Sequence, residues 1–216
     1  MERPSHIDPA DFVARVSPLL ERRDLAGLLD LLKDNWSPAQ IVALLSGPHQ
    51  DARKIAALSL SLVGGNCCIE DLSRVLRDKD RVVNEMAEHA LWSIWLRLGS
   101  CEANREVCRG THALGRRDFD CAIQHFNRAI KHDPSFAEAY NQRAIAYYLT
   151  ERYEESIKDC LRTVKRLPGH FGAWAGMGHC HAHLGRIDEA IEAYERALEI
   201  NPHLDCLRQA LRELKR

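Results

Sequence analysis

The chain has 216 residues, 45% of them apolar and 28% charged, which excludes a generally disordered polymer. Lys plus Arg total 30 against 31 Asp plus Glu, so the formal net charge of −1 gives no basic excess for wrapping nucleic acid or coating an anionic membrane. Eight cysteines are scattered without a CxxC motif, and the start, MERPSHIDPADF, has no apolar core of a secretion signal. The longest apolar stretch, Ile55 to Val63, is interrupted by Ser59 and Ser61 and is far too short to span a bilayer. These features predict a reducing, cytoplasmic setting with neither nucleic acid nor membrane as partner.

In chain order, Asp24 is placed to cap a short helix over Leu25–Leu32. Ser37-Pro38-Ala39-Gln40 reads as a capping box with proline in the first helical turn, leading into Ile41, Leu44 and Leu45, and Gly47-Pro48 closes it. A third helix is predicted over Asp51–Val63, stopped by Gly64-Gly65-Asn66, a fourth over Ile69–Arg77 and a fifth over Asp80–Leu98. Ala56 and Ala87, and Leu60 and Leu91, recur at one offset, each pair preceded by an acidic helix start. Over roughly Ser37 to Gly99 this resembles short HEAT-like repeats, with Asn84 where the preceding unit has Arg53. Gly99-Ser100 is read as a joint, so residues 1–99 form one region.

The second half is periodic. Pro134, Pro168 and Pro202 lie 34 residues apart, and a proline so placed ends a helix because it has no N–H and clashes with the preceding turn. In the same register, small residues recur at Gly110, Ala144 and Gly178, at Ala122, Ser156 and Ala190, and at Ala129, Thr163 and Ala197. Bulky residues recur at Phe119, Tyr153 and Ile187, and at Phe126, Cys160 and Tyr194. Each period holds two amphipathic helices and a turn, as in Trp174, Met177, Gly178 and His181, then Leu184-Gly185-Arg186, then Ala190, Ile191, Tyr194, Ala197 and Leu198.

AWAGMGHCHAHLGRIDEAIEAYERALEINP closely resembles a tetratricopeptide repeat, and AYNQRAIAYYLTERYEESIKDCLRTVKRLP is similar. The first unit, ending FDCAIQHFNRAIKHDP, matches best in its second helix: Glu106 stands where Tyr140 and Trp174 stand later, and Arg109 and Arg143 replace the apolar site of Met177. The resemblance covers Ala103 to Pro202, giving three repeats over residues 103–204. Leu204, Leu207, Leu211 and Leu214 then form one stripe, predicting a capping helix over residues 205–216. The expected fold is an all-α, two-part solenoid of stacked antiparallel helix pairs.

Motifs of chemistry are mostly missing. No phosphate-cradling glycine loop, GxSxG elbow or HExxH is present, and Glu154-Glu155 and Asp188-Glu189 read as charges at helix starts. His179 and His183, four apart, could share a metal ion, but packing of His181 in the site of Tyr147 explains the run without one. Cys67-Cys68 reads as a loop with one thiol turned inward, and Trp92 and Trp95 as core. Arg116-Arg117 and Arg162, Lys165, Arg166 are interleaved with acids and show no aromatic platform. No cofactor is expected.

The resemblance implies that the first helix of each repeat lines a concave groove. Carried over by position, the lining is Asn104, Val107, Thr111, Glu138, Asn141, Ile145, Tyr148, Ala175, His179, Ala182 and His183. Asn141 could bond a ligand backbone, while Ile145 and Tyr148 would give apolar contact. Chaperone-binding members of the family clamp a terminal carboxylate with lysine, arginine and asparagine. The matching sites here are Val107, Thr111 and Gly176, with Glu138 adding negative charge, so an acidic tail is expected to bind poorly. The reading is a non-catalytic scaffold or adaptor for a peptide or helix of another protein. The alternative is a co-chaperone or assembly factor for apolar client segments, and a metal-dependent protein or enzyme built on His179 and His183 ranks third.

Overall fold

The computed structural model describes residues 6–216. Among them are thirteen α-helices, two short 3-10 turns and no strand. The chain divides into two compact units, one ending at Ile94 and the other running from Trp95 to Arg216.

The first unit begins with a helix that the sequence pattern did not single out, α1 (Pro9–Glu21). Asp8 caps it by accepting the Ala10 N–H at 3.2 Å, Pro9 occupies the first turn, and Phe12 and Val16, four residues apart, are fully buried. Pro18 lies inside this helix and deprives Ala14 of its usual donor, which is why the segment does not read as helical. After α2 (Leu25–Asn35), α3 (Pro38–Ala43) starts with the expected capping box: Gln40 N–H donates to Ser37 Oγ and Ser37 N–H to Gln40 Oε1, at 3.3 and 2.7 Å. Helices α4 (Gln50–Val63), α5 (Ile69–Val75) and α6 (Arg81–Trp95) follow, α5 ending short of the expected Arg77 and the last residue of α6, Trp95, belonging to the second unit. Ala56, Leu60, Ala87 and Leu91 are all fully buried. Cys68 turns inward, where burial pushes its thiol up to about 11, while Cys67 stays exposed.

The second unit holds three helix hairpins: α7 (Cys101–Gly115) with α8 (Phe119–His132), α9 (Ala137–Leu149) with α10 (Tyr153–Arg166), and α11 (Phe171–His183) with α12 (Ile187–Ile200). Each helix packs on the next, so apolar faces that no single hairpin could hide are covered by neighbours. Each second helix ends two residues before Pro134, Pro168 or Pro202. Within each hairpin the turn needs one left-handed residue: Arg117 at φ 62°, Glu151 at 59° and Gly185 at 71°, again 34 apart. The α1–α2 turn has the same form. Arg23 sits at φ 55° and Asp24 N–H donates to Leu19 O at 2.9 Å, as Asp118 N–H does to Ala113 O at 3.0 Å.

The small residues mark the helix crossings. A Cβ on Gly110 would lie 2.4 Å from the Phe126 ring, and one on Gly178 the same distance from the Tyr194 ring. Burying Phe126 completely contributes about 1.5–3 kcal/mol, and only a glycine opposite lets the backbone come that near. Helix α13 (Asp205–Leu214) follows, with Leu207 buried and Leu204, Leu211 and Leu214 packed beside it against Tyr194 and Ala197.

Candidate functional site

The eleven expected groove positions all fall on α7, α9 and α11, but they do not form one exposed row. Asn104, Thr111, Ile145, Tyr148, Ala175, His179 and Ala182 are half-buried and His183 is exposed. Val107, Glu138 and Asn141 are 1%, 0% and 3% exposed. Their side chains belong to the interior of the unit.

The reason lies in a polar contact that spacing did not reveal. His170, also completely buried, caps α11 by accepting the Ala173 N–H on Nδ1 at 3.0 Å. Nδ1 is thereby the acceptor, so the ring proton sits on Nε2 and points to Glu138 Oε2 at 2.9 Å. Glu138 Oε1 accepts from Asn141 Nδ2 at 3.0 Å and Gln142 Nε2 at 2.6 Å, which satisfies a carboxylate that would otherwise be too costly to bury. Two expectations need correction as a result. Glu138 does not project its charge into the groove, and the Asn141 amide nitrogen is committed to Glu138 rather than held open for a ligand.

The repeat departures in the first two units are compensated across their hairpins. Arg143 grips Asp159, itself 1% exposed, through Nε and Nη2 at 2.6 and 2.8 Å, in the place where the third repeat has Met177 and Ala193. Glu106 receives His125 Nδ1 at 2.7 Å and pairs with Arg109, which keeps its carboxyl below the ordinary range. Basic residues of the second repeat cover aromatic rings, contacts that spacing did not reveal. Arg166 lies 4.4 Å from the centroid of Tyr140 and Arg152 the same distance from Tyr147.

The half-exposed positions converge on an aromatic and imidazole cluster. Tyr148 Oη lies 3.0 Å from His183 Nε2, and the His183 ring stacks on Tyr153 with 4.9 Å between centroids. Tyr194 Oη lies 2.7 Å from His179 Nδ1. Burial first, and the neighbouring His183 second, lower the pKa of His179, while burial raises the Tyr194 phenol to about 12. Both groups are therefore neutral at pH 7. One nitrogen of each imidazole already faces a phenol, and among the described residues no trio of His, Cys, Asp or Glu is arranged to hold a metal ion.

Stacked hairpins of this period, with glycine or alanine at the crossings and proline after each second helix, define a tetratricopeptide-repeat array. Models of the tetratricopeptide repeat family match residues 109–171 and 172–204. The small glutamine-rich tetratricopeptide repeat-containing protein of Dictyostelium discoideum is 35% identical over 115 residues, 53% of this chain and 32% of that protein. Sperm-associated antigen 1 of Mus musculus is 28% identical over 114 residues, 53% of this chain and 12% of that protein. The matched stretch thus spans at most about a third of the length of these two relatives. Among solved structures, the second TPR domain of human RPAP3 in complex with the HSP70 peptide SGPTIEEVD is 28% identical, with TM-score 0.51 over 53% of this chain and 96% of that one. The Sgt2 TPR domain from Aspergillus fumigatus, at 23% identity and TM-score 0.52, shares the fold over 54% of this chain and 79% of that one.

Proposed function

We propose that the protein is a non-catalytic interaction scaffold whose tetratricopeptide array receives a polypeptide segment. The observation that carries this reading is the set of half-exposed side chains on α9 and α11. Ile145, Tyr148, Ala175 and Ala182 leave apolar surface accessible beside the neutral His179, and none of the eleven groove positions is Lys or Arg. A preformed surface of this kind costs little ordering entropy on binding, and its chemistry suits the apolar face of a helix rather than a carboxylate tail. A co-chaperone or assembly role for apolar client segments fits the same surface; the likeness to an RPAP3 domain seen with an HSP70 peptide supports a chaperone setting, not an apolar ligand.

The finer organisation belongs to the same proposal: a HEAT-like region over residues 1–99, repeats over 103–204 and a cap over 205–216, acting in the cytoplasm with a protein rather than nucleic acid or membrane as partner. The buried Ala56/Ala87 and Leu60/Leu91 pairs support the HEAT-like part, and eight free thiols suit a reducing compartment. Among the described residues no helix is long and apolar enough to cross a membrane.

Titration calorimetry of the full chain tests the groove. A neutral amphipathic helical peptide is expected to bind and to weaken in the Tyr148→Ala and Ile145→Ala variants, whereas SGPTIEEVD is expected to bind poorly. Tight, salt-sensitive binding of the acidic peptide, or indifference of the helix to both substitutions, overturns the reading.

A further inference from the structure

The 34-residue register places Ala113, Tyr147 and His181 at one position of the three repeats. In the second repeat the Tyr147 ring lies among guanidinium groups, with Arg143 5.8 Å and Arg152 4.4 Å from its centroid. In the first repeat the residue is an alanine, and beside it a cavity of about 350 Å³ opens between α7 and α8. Its wall includes Arg109, the counterpart of Arg143, together with His112, Ala113, Arg116, Cys121 and His125. The cavity shares no residue with the eleven groove positions.

We infer that this cavity is a second docking site, and that it receives an aromatic side chain, Tyr or Phe, from an acidic segment of a partner protein. The second repeat shows what the space is shaped for: a ring at this position lies against the residue-109 counterpart and completes the wall from inside. A ring supplied from outside would lie against the Arg109, His112, Arg116 and His125 side chains of the wall, with Ala113, itself packed in the core, as its floor. The charge of the wall sets the rest of the ligand. No carboxylate lines the cavity, Glu106 behind it is already held by Arg109 and His125, and neither Arg116 nor His112 has an ion pair among the described residues. Carboxylates on either side of the inserted ring would meet those two groups at the rim.

The test uses the full chain and a labelled peptide carrying one tyrosine between glutamates, with a leucine-for-tyrosine peptide and a glutamine-for-glutamate peptide as controls. Saturable, salt-sensitive binding of the first is expected, weakened about tenfold or more in each control. Arg116→Glu, an exposed change, is expected to abolish binding with the fold intact; Ala113→Tyr, which puts a ring at the floor of the cavity, is expected to abolish it in the folded variant even if the melting temperature falls. Tyr148→Ala, which disables the groove, is expected to leave it unchanged. Bound peptide should also protect Cys108 and Cys121 from alkylation while exposed Cys206 continues to react. Absence of saturable binding, equal binding of the leucine peptide, or retention of binding in the folded Ala113→Tyr and Arg116→Glu variants overturns the inference. So does self-association that Ala113→Tyr abolishes, since the occupant would then be a second copy of this chain.

Discussion

Gly178 and Tyr194 are complementary: the ring of one occupies the space that a Cβ on the other would need, at 2.4 Å from Cδ1. The same trade is made in each repeat. Gly110 faces Phe126, and where the second repeat has Ala144 instead, the opposing residue is the smaller Cys160. Gly178→Ala is therefore expected to cost about 1–3 kcal/mol by overpacking. Adding Tyr194→Cys, which copies the second repeat, should return a good part of that loss in urea unfolding. A double variant as unstable as the sum of its two single changes would show that the pair is not coupled.

Asp159 holds Arg143 in the hairpin core of the second repeat. Asp159→Ala leaves a guanidinium with only 13% of its side chain exposed without its counter-charge, Asn127 Oδ1 remaining as an acceptor, and is expected to cost about 3 kcal/mol. Introducing Arg143→Met as well reproduces Met177 and Ala193 of the third repeat, and the double variant should be near wild-type stability or above it. Thermal melts of the three variants decide this.

Glu151 and Arg117 adopt the left-handed backbone that Gly185 supplies without strain in the third repeat. Glu151→Gly is expected to stabilise the array by about 1 kcal/mol, because relief of the left-handed penalty exceeds the added freedom of the unfolded chain. An unchanged or lower denaturation midpoint would count against this turn geometry.

Acid should loosen the third repeat before carboxylates begin to titrate. Burial lowers the pKa of both His179 and His181 below the ordinary 6.5, so the unfolded chain binds their protons more readily than the folded one. Their contribution is complete above pH 6.5 and is lost as pH falls through the lower folded values. The melting temperature is expected to drop on acidification from about pH 7.5 to about pH 5.5, and His179→Gln should flatten that slope. The same slope in the variant would remove His179 from the account.

The period of the array was legible because helix stops and crossing sites admit few residue types: prolines at one spacing and glycine or alanine at another suffice to reveal three hairpins. What spacing concealed was compensation between distant positions. Arg143 looks like a polar intruder until Asp159, one helix later, is seen to receive it. Glu138 and Asn141 sit at positions that the family exposes, and only His170, brought over from the start of α11, explains why they are buried. The cavity beside Ala113 was hidden for the opposite reason, since it depends on a side chain that is too small. A positional comparison with Tyr147 held the signal, but not the shape.

The indole of Trp95 lies 4.1 Å from the imidazole of His170, centroid to centroid and nearly parallel, with Phe171 beside it. That contact clasps the residue preceding the first repeat to the opening of the third, and His170 passes the hold on to Glu138 in the second. A simple pile of hairpins can unravel one layer at a time from its free end. Here the third hairpin grips the thread that leads into the first, so peeling it away would bare a tryptophan at the start of the same unit and make opening a joint event.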